Sequence, residues 1–124
     1  MHIEHVNLTV SDLDRSIAFY SDLFDLHVRW KGPIDGTRLG AHVGDDRSYL
    51  ALFQATAAGP VDHDYTRPGV NHFGFVVADL DDVRARLDAL GATVHLEADY
   101  EPGRRIYFLD PDGYEVEVVE YEAT

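Results

Sequence analysis

The groups able to do chemistry here are few in kind. The 124 residues carry seven histidines and 23 carboxylates but no cysteine. Disulfides, thiolate metal sites and a Cys nucleophile are therefore excluded. Two of the histidines stand in matched surroundings. The segment His5-Val6-Asn7-Leu8-Thr9-Val10-Ser11-Asp12-Leu13-Asp14 aligns with His72-Phe73-Gly74-Phe75-Val76-Val77-Ala78-Asp79-Leu80-Asp81 at an offset of 67, with the His, Val10/Val77 and the Asp-Leu-Asp run in common. Strand propensity alone does not demand a shared His or Asp-Leu-Asp, so the match reads as an internal repeat. A pseudo-twofold relation between repeats would bring His5 and His72 together, and Glu117 from the last strand would join them. Two His and one carboxylate on rigid strands make a facial triad suited to Fe(II), Mn(II), Zn(II) or Ni(II). Such a set leaves positions open for substrate and water, which a metal needs in order to polarise a bound oxygen. His2, His27, His42, His63 and His95 lack the support of the repeat and read as ordinary histidines.

The elements that must position these residues repeat as well. Residues 3–10 alternate, with Val6, Leu8 and Val10 on one face and Ile3, His5, Asn7 and Thr9 on the other, as a strand with one apolar side does. Ser11 or Asp12 caps a helix with Ile17, Tyr20, Leu23 and Phe24 at helical spacing. Residues 26–30 alternate again, and 37–43 and 48–54 read as two further strands around a turn at Gly44-Asp45-Asp46. In the second half, 70–77 is a strand. Asp79 then caps a helix with Leu80, Val83, Leu87 and Leu90 inward and Gly91 at its end. Thr93–Glu97, Arg104–Leu109 and Tyr114–Tyr121 follow as strands, the last two joined by the turn Asp110-Pro111-Asp112-Gly113. The expected architecture is α+β, one domain of two βαβββ modules, about 1–55 and 69–124, with a connector over about 56–68. In the last strand Val116 and Val118 share the helix-facing side, and Glu115, Glu117, Val119 and Tyr121 the other.

Charge excludes other classes. Ten Lys and Arg against 23 Asp and Glu give a net charge of −13, and Lys31 is the only lysine. A surface this acidic repels phosphate backbones and anionic membranes, so neither nucleic acid nor a membrane is an expected partner. No apolar run approaches the roughly 20 residues that span a bilayer. The start, Met1-His2-Ile3-Glu4-His5, lacks the apolar core of a signal peptide. A cytoplasmic location is the expectation.

Three segments, in order, resemble the vicinal oxygen chelate superfamily, which includes glyoxalase I, extradiol dioxygenases, methylmalonyl-CoA epimerase and the fosfomycin and bleomycin resistance proteins. They are His5 to Tyr20, Asn71 to Leu80, and Tyr107-Phe-Leu-Asp-Pro-Asp-Gly-Tyr-Glu-Val-Glu117, and the likeness covers nearly the whole chain. The resemblance implies a cupped mixed sheet built from the two βαβββ modules around one divalent ion. It places the ligands on His5, His72 and Glu117. The fourth protein ligand of glyoxalase I and the epimerase falls on Ala51, which cannot bind metal, and Gln54 has the opposite parity. The chain therefore follows the three-ligand pattern of the extradiol dioxygenases and fosfomycin resistance proteins. Tyr107, ten residues before Glu117, matches a Tyr found in both. The additional His expected in the dioxygenases before that Tyr is missing, since 98–100 read Ala-Asp-Tyr. The fosfomycin proteins' Thr is replaced by Asn7, and their cation-binding loop has no match in Asp99–Gly103.

The function this implies is a metal-dependent lyase, isomerase or dioxygenase acting on a small substrate with two neighbouring oxygens. Tyr107 and Glu117 are the catalytic candidates, and Asn7, Tyr49, Arg105 and Tyr107 the substrate-binding ones. The alternative is a non-catalytic small-molecule binding or antibiotic-resistance protein, against which the retention of all three ligands argues. A symmetric homodimer is the expected assembly.

Overall fold

Alternation along β1 (His5–Val10) puts Leu8 and Val10 on one side, where both are buried, and His5, Asn7 and Thr9 on the other, where all three are exposed. That division holds through the computed structural model, which describes residues 1–57, 59–100 and 102–122. Ala58 of the expected connector and Glu101 of the loop before Arg104 lie outside them. The chain forms two compact units, Met1–Gly59 and Pro60–Thr124. Each holds one helix and one four-stranded mixed sheet in the order β-α-β-β-β.

In the first unit β1 is followed by α1 (Leu13–Phe24), β2 (His27–Pro33), β3 (Leu39–Gly44) and β4 (Tyr49–Gln54). The sheet order is β1-β4-β3-β2, with β1 parallel to β4 and the other neighbours antiparallel. The Asp12 carboxylate accepts from Arg15 N and caps α1. The helix ends at Asp25, whose φ of 54° is one of the few left-handed settings an Asp tolerates. A helix this short needs tertiary packing to persist. It buries Leu13, Phe19, Tyr20 and Leu23 over β3 and β4, whose own buried residues include Ala41, Val43, Leu50 and Leu52. Gln54, at the end of β4, accepts from Leu13 N and donates to Ser11 O, so its side chain fastens the start of the helix.

The second unit repeats the plan with β5 (Phe73–Val76), α2 (Leu80–Ala89), β6 (Thr93–Tyr100), β7 (Gly103–Leu109) and β8 (Glu115–Tyr121). The order is β5-β8-β7-β6, again with one parallel pair, β5 with β8. Asp79 caps α2 by accepting from Asp82 N, and Gly91 takes the left-handed φ of 70° just beyond it. Glu120 accepts from Leu80 N, the role Gln54 plays in the first unit. Leu80, Val83 and Leu87 from the helix and Ile106, Phe108, Val116 and Val118 from the sheet form the core.

Element bounds differ from the sequence reading where neighbours decide them. Pairing of β1 begins at His5 rather than Ile3, because its partner β4 begins at Tyr49, opposite His5. Strand β2 runs on through Gly32 and Pro33, which pair with Gly40 and Leu39. Pro33 is tolerated because β2 is an edge strand whose outer side needs no donor. Strand β5 is shorter than 70–77, so His72 stands immediately before it rather than within it. Strand β6 continues to Tyr100 by pairing with Gly103. Leu90 was expected inward but caps the end of α2 and is exposed. No described helix is long and apolar enough to cross a membrane.

The turn between β7 and β8 is organised by a buried carboxylate. Asp110 is 5% exposed, and its Oδ1 accepts from both Asp112 N and Tyr114 N, while Gly113 supplies a φ of 91°. Asp110→Ala leaves two backbone donors without that partner and is expected to cost about 1–3 kcal/mol. Asp110→Asn, which keeps an acceptor oxygen, recovers most of it. Urea denaturation of the three proteins checks this; an alanine variant as stable as the parent refutes the assignment.

Candidate functional site

The face of the second sheet turned away from α2 carries the polar residues. Parity puts Glu115 and Glu117 of β8 on it, and the register sets Tyr107 of β7 opposite Glu117 and Leu109 opposite Glu115. His72, just before β5, reaches the same place. Its Nε2 lies 3.1 Å from Glu117 Oε1, and its Nδ1 lies 3.5 Å from Glu115 Oε1. Arg105, also on β7, donates from Nη1 to Glu117 Oε2 at 3.1 Å. The two glutamates and Arg105 are each about 15% exposed at the side chain, so these contacts are shielded from bulk water. The Tyr107 ring stands edge-on to His72, with centroids 5.4 Å apart.

The Arg105 bond leaves Glu117 with Oε1 facing the imidazole. Two donors in adjacent positions around one octahedral ion, each at about 2.1 Å, are about 3 Å apart. The His72–Glu117 spacing fits that bite. The donor chemistry also fits, as imidazole and carboxylate suit first-row divalent metals. Unit 2 by itself offers these two donors, and among the described residues no group of three His, Asp or Glu side chains is arranged to hold a metal.

In the first unit the corresponding face carries rings. His5 stacks on Tyr49 at 4.9 Å, Tyr49 on His42 at 4.4 Å, and His42 meets Trp30 at 5.1 Å, so four rings cross the sheet from β1 to β2. The Arg29 guanidinium lies 4.7 Å from the centre of the Tyr49 ring. His5 Nδ1 contacts Glu4 Oε1 at 3.0 Å, and that bond lowers the Glu4 carboxyl below its ordinary range. Burial, then the charges of His5 and Arg29, pushes His42 down, which favours the neutral imidazole. Burial and the Glu4 carboxylate raise the Tyr49 hydroxyl. Asn7 donates from Nδ2 to Ala51 O at 2.8 Å.

The sequence candidates therefore fall into two sets. His72, Arg105, Tyr107 and Glu117 come together in unit 2, and His5, Asn7 and Tyr49 share one face in unit 1. Gln54 turns to the helix side, as its parity requires. Three participants were missed. Glu115 takes His72, Tyr65 and His95 around it. The signal for Glu115 was its parity with Glu117. His95, read as ordinary, lies at the irregularity between Val94 and Leu96 in β6, and its Nε2 is 2.9 Å from Glu115 Oε2. Tyr65 lies in what was read as connector, and no periodicity marks it. His63, in the same stretch, donates to the Gly113 carbonyl and so holds that stretch against the β7–β8 turn.

The order of elements, the repeat and this constellation define a class. The chain belongs to the glyoxalase/bleomycin resistance protein/dioxygenase superfamily, whose model matches residues 2–118. Among curated proteins it is 34% identical to the glutathione transferase FosA of Serratia marcescens over 94% of this chain and 78% of that protein. It is 29% identical to the lactoylglutathione lyase of Haemophilus influenzae over 100% of this chain and 96% of that one. Both relatives are named as enzymes. Among solved structures, a glyoxylase/bleomycin resistance protein/dioxygenase domain from Frankia sp. superposes with a TM-score of 0.83 at 30% identity, covering 98% of this chain and 93% of that one.

The Arg105–Glu117 pair is testable by itself. Arg105→Met strands a shielded carboxylate and is expected to destabilise the protein by about 1–3 kcal/mol. Adding Glu117→Gln returns part of that loss, because the uncompensated charge is then gone. A double-mutant cycle by urea denaturation measures the coupling, and a coupling of zero removes the pair from the account of the site.

Proposed function

We propose that this protein is a divalent-metal-dependent enzyme acting on a small substrate that chelates the ion through two neighbouring oxygens. The observation that carries the reading is the 3.1 Å spacing of His72 Nε2 and Glu117 Oε1. His5, the matched histidine of the first unit, is the proposed third donor, and the ion is one of Fe, Mn, Ni or Zn. A divalent ion held there supplies Lewis-acid polarisation of a substrate oxygen. The chain's own groups do the remaining work. Arg105 holds Glu117 Oε2 and thereby presents Oε1, and its positive charge is the proposed attraction for an anionic substrate group. Tyr107, beside His72, is the proposed proton donor or partner of a developing oxyanion. Asn7 and Tyr49 provide the proposed substrate-binding surface of the first unit.

The names of the two curated relatives, a glutathione transferase and a lactoylglutathione lyase, make glutathione the co-substrate to try first. Ala51 disfavours the lyase, which calls for another carboxylate ligand at that position. Transfer of the thiol to an electrophilic small molecule is therefore the preferred reaction.

The experiment is metal binding by untagged protein, followed by assay. The wild type is expected to bind one equivalent of Mn(II), Fe(II), Ni(II) or Zn(II) at micromolar affinity or better. His72→Ala and Glu117→Ala each lose at least about tenfold in affinity. With metal present, glutathione is consumed against an epoxide, and Tyr107→Phe lowers the turnover without lowering metal affinity. Wild-type protein that binds none of the four ions overturns the proposal. Oxygen uptake with a catechol under Fe(II) would move the reaction to the dioxygenase class.

The proposed assembly is a symmetric homodimer. Sedimentation equilibrium at micromolar concentration is expected to give twice the chain mass of 13.9 kDa, and a mass equal to one chain refutes it.

A further inference from the structure

Glu115 is the second carboxylate on the open face of the second sheet, and its bonds are all to side chains from other elements. Its Oε1 accepts the Tyr65 hydroxyl in a close contact. The Tyr65 oxygen in turn lies 3.1 Å from His72 Nδ1. With its own proton directed at Glu115, that oxygen has lone pairs to offer, so it accepts from Nδ1–H. The same Oε1 stands 3.5 Å from Nδ1 and adds a direct charge contact. On the other side of the carboxylate, His95 Nε2 donates to Oε2 at 2.9 Å. A general base needs an oxygen free to take a proton from substrate, and both oxygens of Glu115 already accept one. What Glu115 does is hold its neighbours.

We infer that Glu115, through Tyr65, is a positioning residue that fixes the His72 ring with Nδ1 protonated and Nε2 presented beside Glu117 Oε1 as a metal donor. The inference rests on the metal-binding reading proposed above and adds to it the groups that orient the ligand. An imidazole has two nitrogens, and which one can give its lone pair to a metal is decided by what the other one bonds. Here Nδ1 meets an acceptor chain ending in a carboxylate; Nε2 is at hydrogen-bond distance from Glu117 Oε1 in the metal-free chain, and the proton between them is the one the ion would displace. His95 has the lesser part of steadying Glu115 from the far side, which its place at the β6 irregularity allows.

The assignment also explains why the segment between the sheets belongs with the second unit. Val61–Val70 holds no strand or helix, yet it carries Tyr65 to Glu115 and His63 to the β7–β8 turn. Its Tyr65 ring lies nearly parallel to the His72 ring, 29° between planes and 6.3 Å between centres, so it also limits rotation of the imidazole.

The test uses full-length, untagged protein and two readouts. Long-range proton–nitrogen NMR of the metal-free protein at neutral pH reports the ring state of His72, and Mn(II) titration followed by electron paramagnetic resonance reports affinity. The wild type is expected to show a protonated Nδ1. Glu115→Ala and Tyr65→Phe are expected to shift the His72 Nδ1 resonance and to weaken Mn(II) binding by about 10–100-fold, with melting temperature near that of the parent. Glu115→Gln, which keeps an acceptor for the Tyr65 hydroxyl, recovers a large part of the affinity; a merely structural role would not separate Gln from Ala in this way. Variants that bind Mn(II) within twofold of the parent, or leave the Nδ1 resonance unmoved, overturn the clamp while leaving the metal reading standing. If the wild type binds no Mn(II), Fe(II), Ni(II) or Zn(II), the metal reading falls, and the clamp's role in metal binding falls with it.

Discussion

Each sheet contains one parallel pair, β1 with β4 and β5 with β8, and the rest of each unit depends on it. A parallel pair cannot be joined by a hairpin; the chain must cross over the sheet, and the helix is that crossover. Once α1 covers one face, strand alternation leaves the other face to whatever residues share parity with His5. The same holds for α2 and the face reached by His72. The pairing also fixes register: Asn7 lies opposite Ala51, and Gly74 opposite Glu117. A slip of one residue would send Glu117 toward the helix and Val118 to the polar face. The bonds from Gln54 to Leu13 and from Glu120 to Leu80 fix each helix start to the last strand of its sheet, which opposes such a slip in both units.

A second shared feature is the irregularity in the outer strand. Pairing shifts between Val28 and Trp30 in β2, and between Val94 and Leu96 in β6. The residue left over is Arg29 in one unit and His95 in the other. Both reach the residue that opens the last strand of their own sheet, Arg29 over Tyr49 and His95 onto Glu115. A bulge re-aims one side chain without ending the ladder. The repeat therefore extends to how the face is furnished, although the residues differ: a cation over a ring in the first unit, an imidazole on a carboxylate in the second.

The plan of the fold was legible because it rests on period. Alternation marked the apolar faces of β1 and β8, the pair Ser11-Asp12 and Asp79 marked the helix starts, and the shared His and Asp-Leu-Asp marked the duplication. Arg105 joined Tyr107 by strand parity, while Tyr107 was tied to Glu117 by the family resemblance. What escaped was set by partners rather than period. Whether Pro33 extends an edge strand depends on which side of β2 lacks a neighbour, and sequence does not state sheet order. His95 read as ordinary because it has no counterpart in the repeat, and it lies at an irregularity of β6, where parity gives no rule for its side chain. Tyr65 escaped because a segment without regular structure gives no rule for where its side chains go; its contact with Glu115 spans 50 residues.

The two faces diverge most at one register position. Ala51 pairs with His42 across β3 and β4, and Glu117 pairs with Tyr107 across β7 and β8, so Ala51 and Glu117 are counterparts in the repeat. In the second unit the carboxylate there meets His72 and Arg105. In the first the position is an apolar methyl, 5% exposed, whose backbone carbonyl takes the Asn7 amide. Replacing Ala51 by a charged residue would place a second carboxylate among His5, His42 and Tyr49, in a setting with no arginine equivalent to Arg105: the position opposite Phe53 that would correspond is Gly40. A carboxylate shielded from water without such a partner carries a desolvation cost of several kcal/mol in rough terms. The arginine–glutamate pair is thus a unit, and the first sheet lacks both halves of it. Glu117 thus lies beside an arginine of its own sheet, while the first unit presents His5 between the Glu4 carboxylate and the Tyr49 ring.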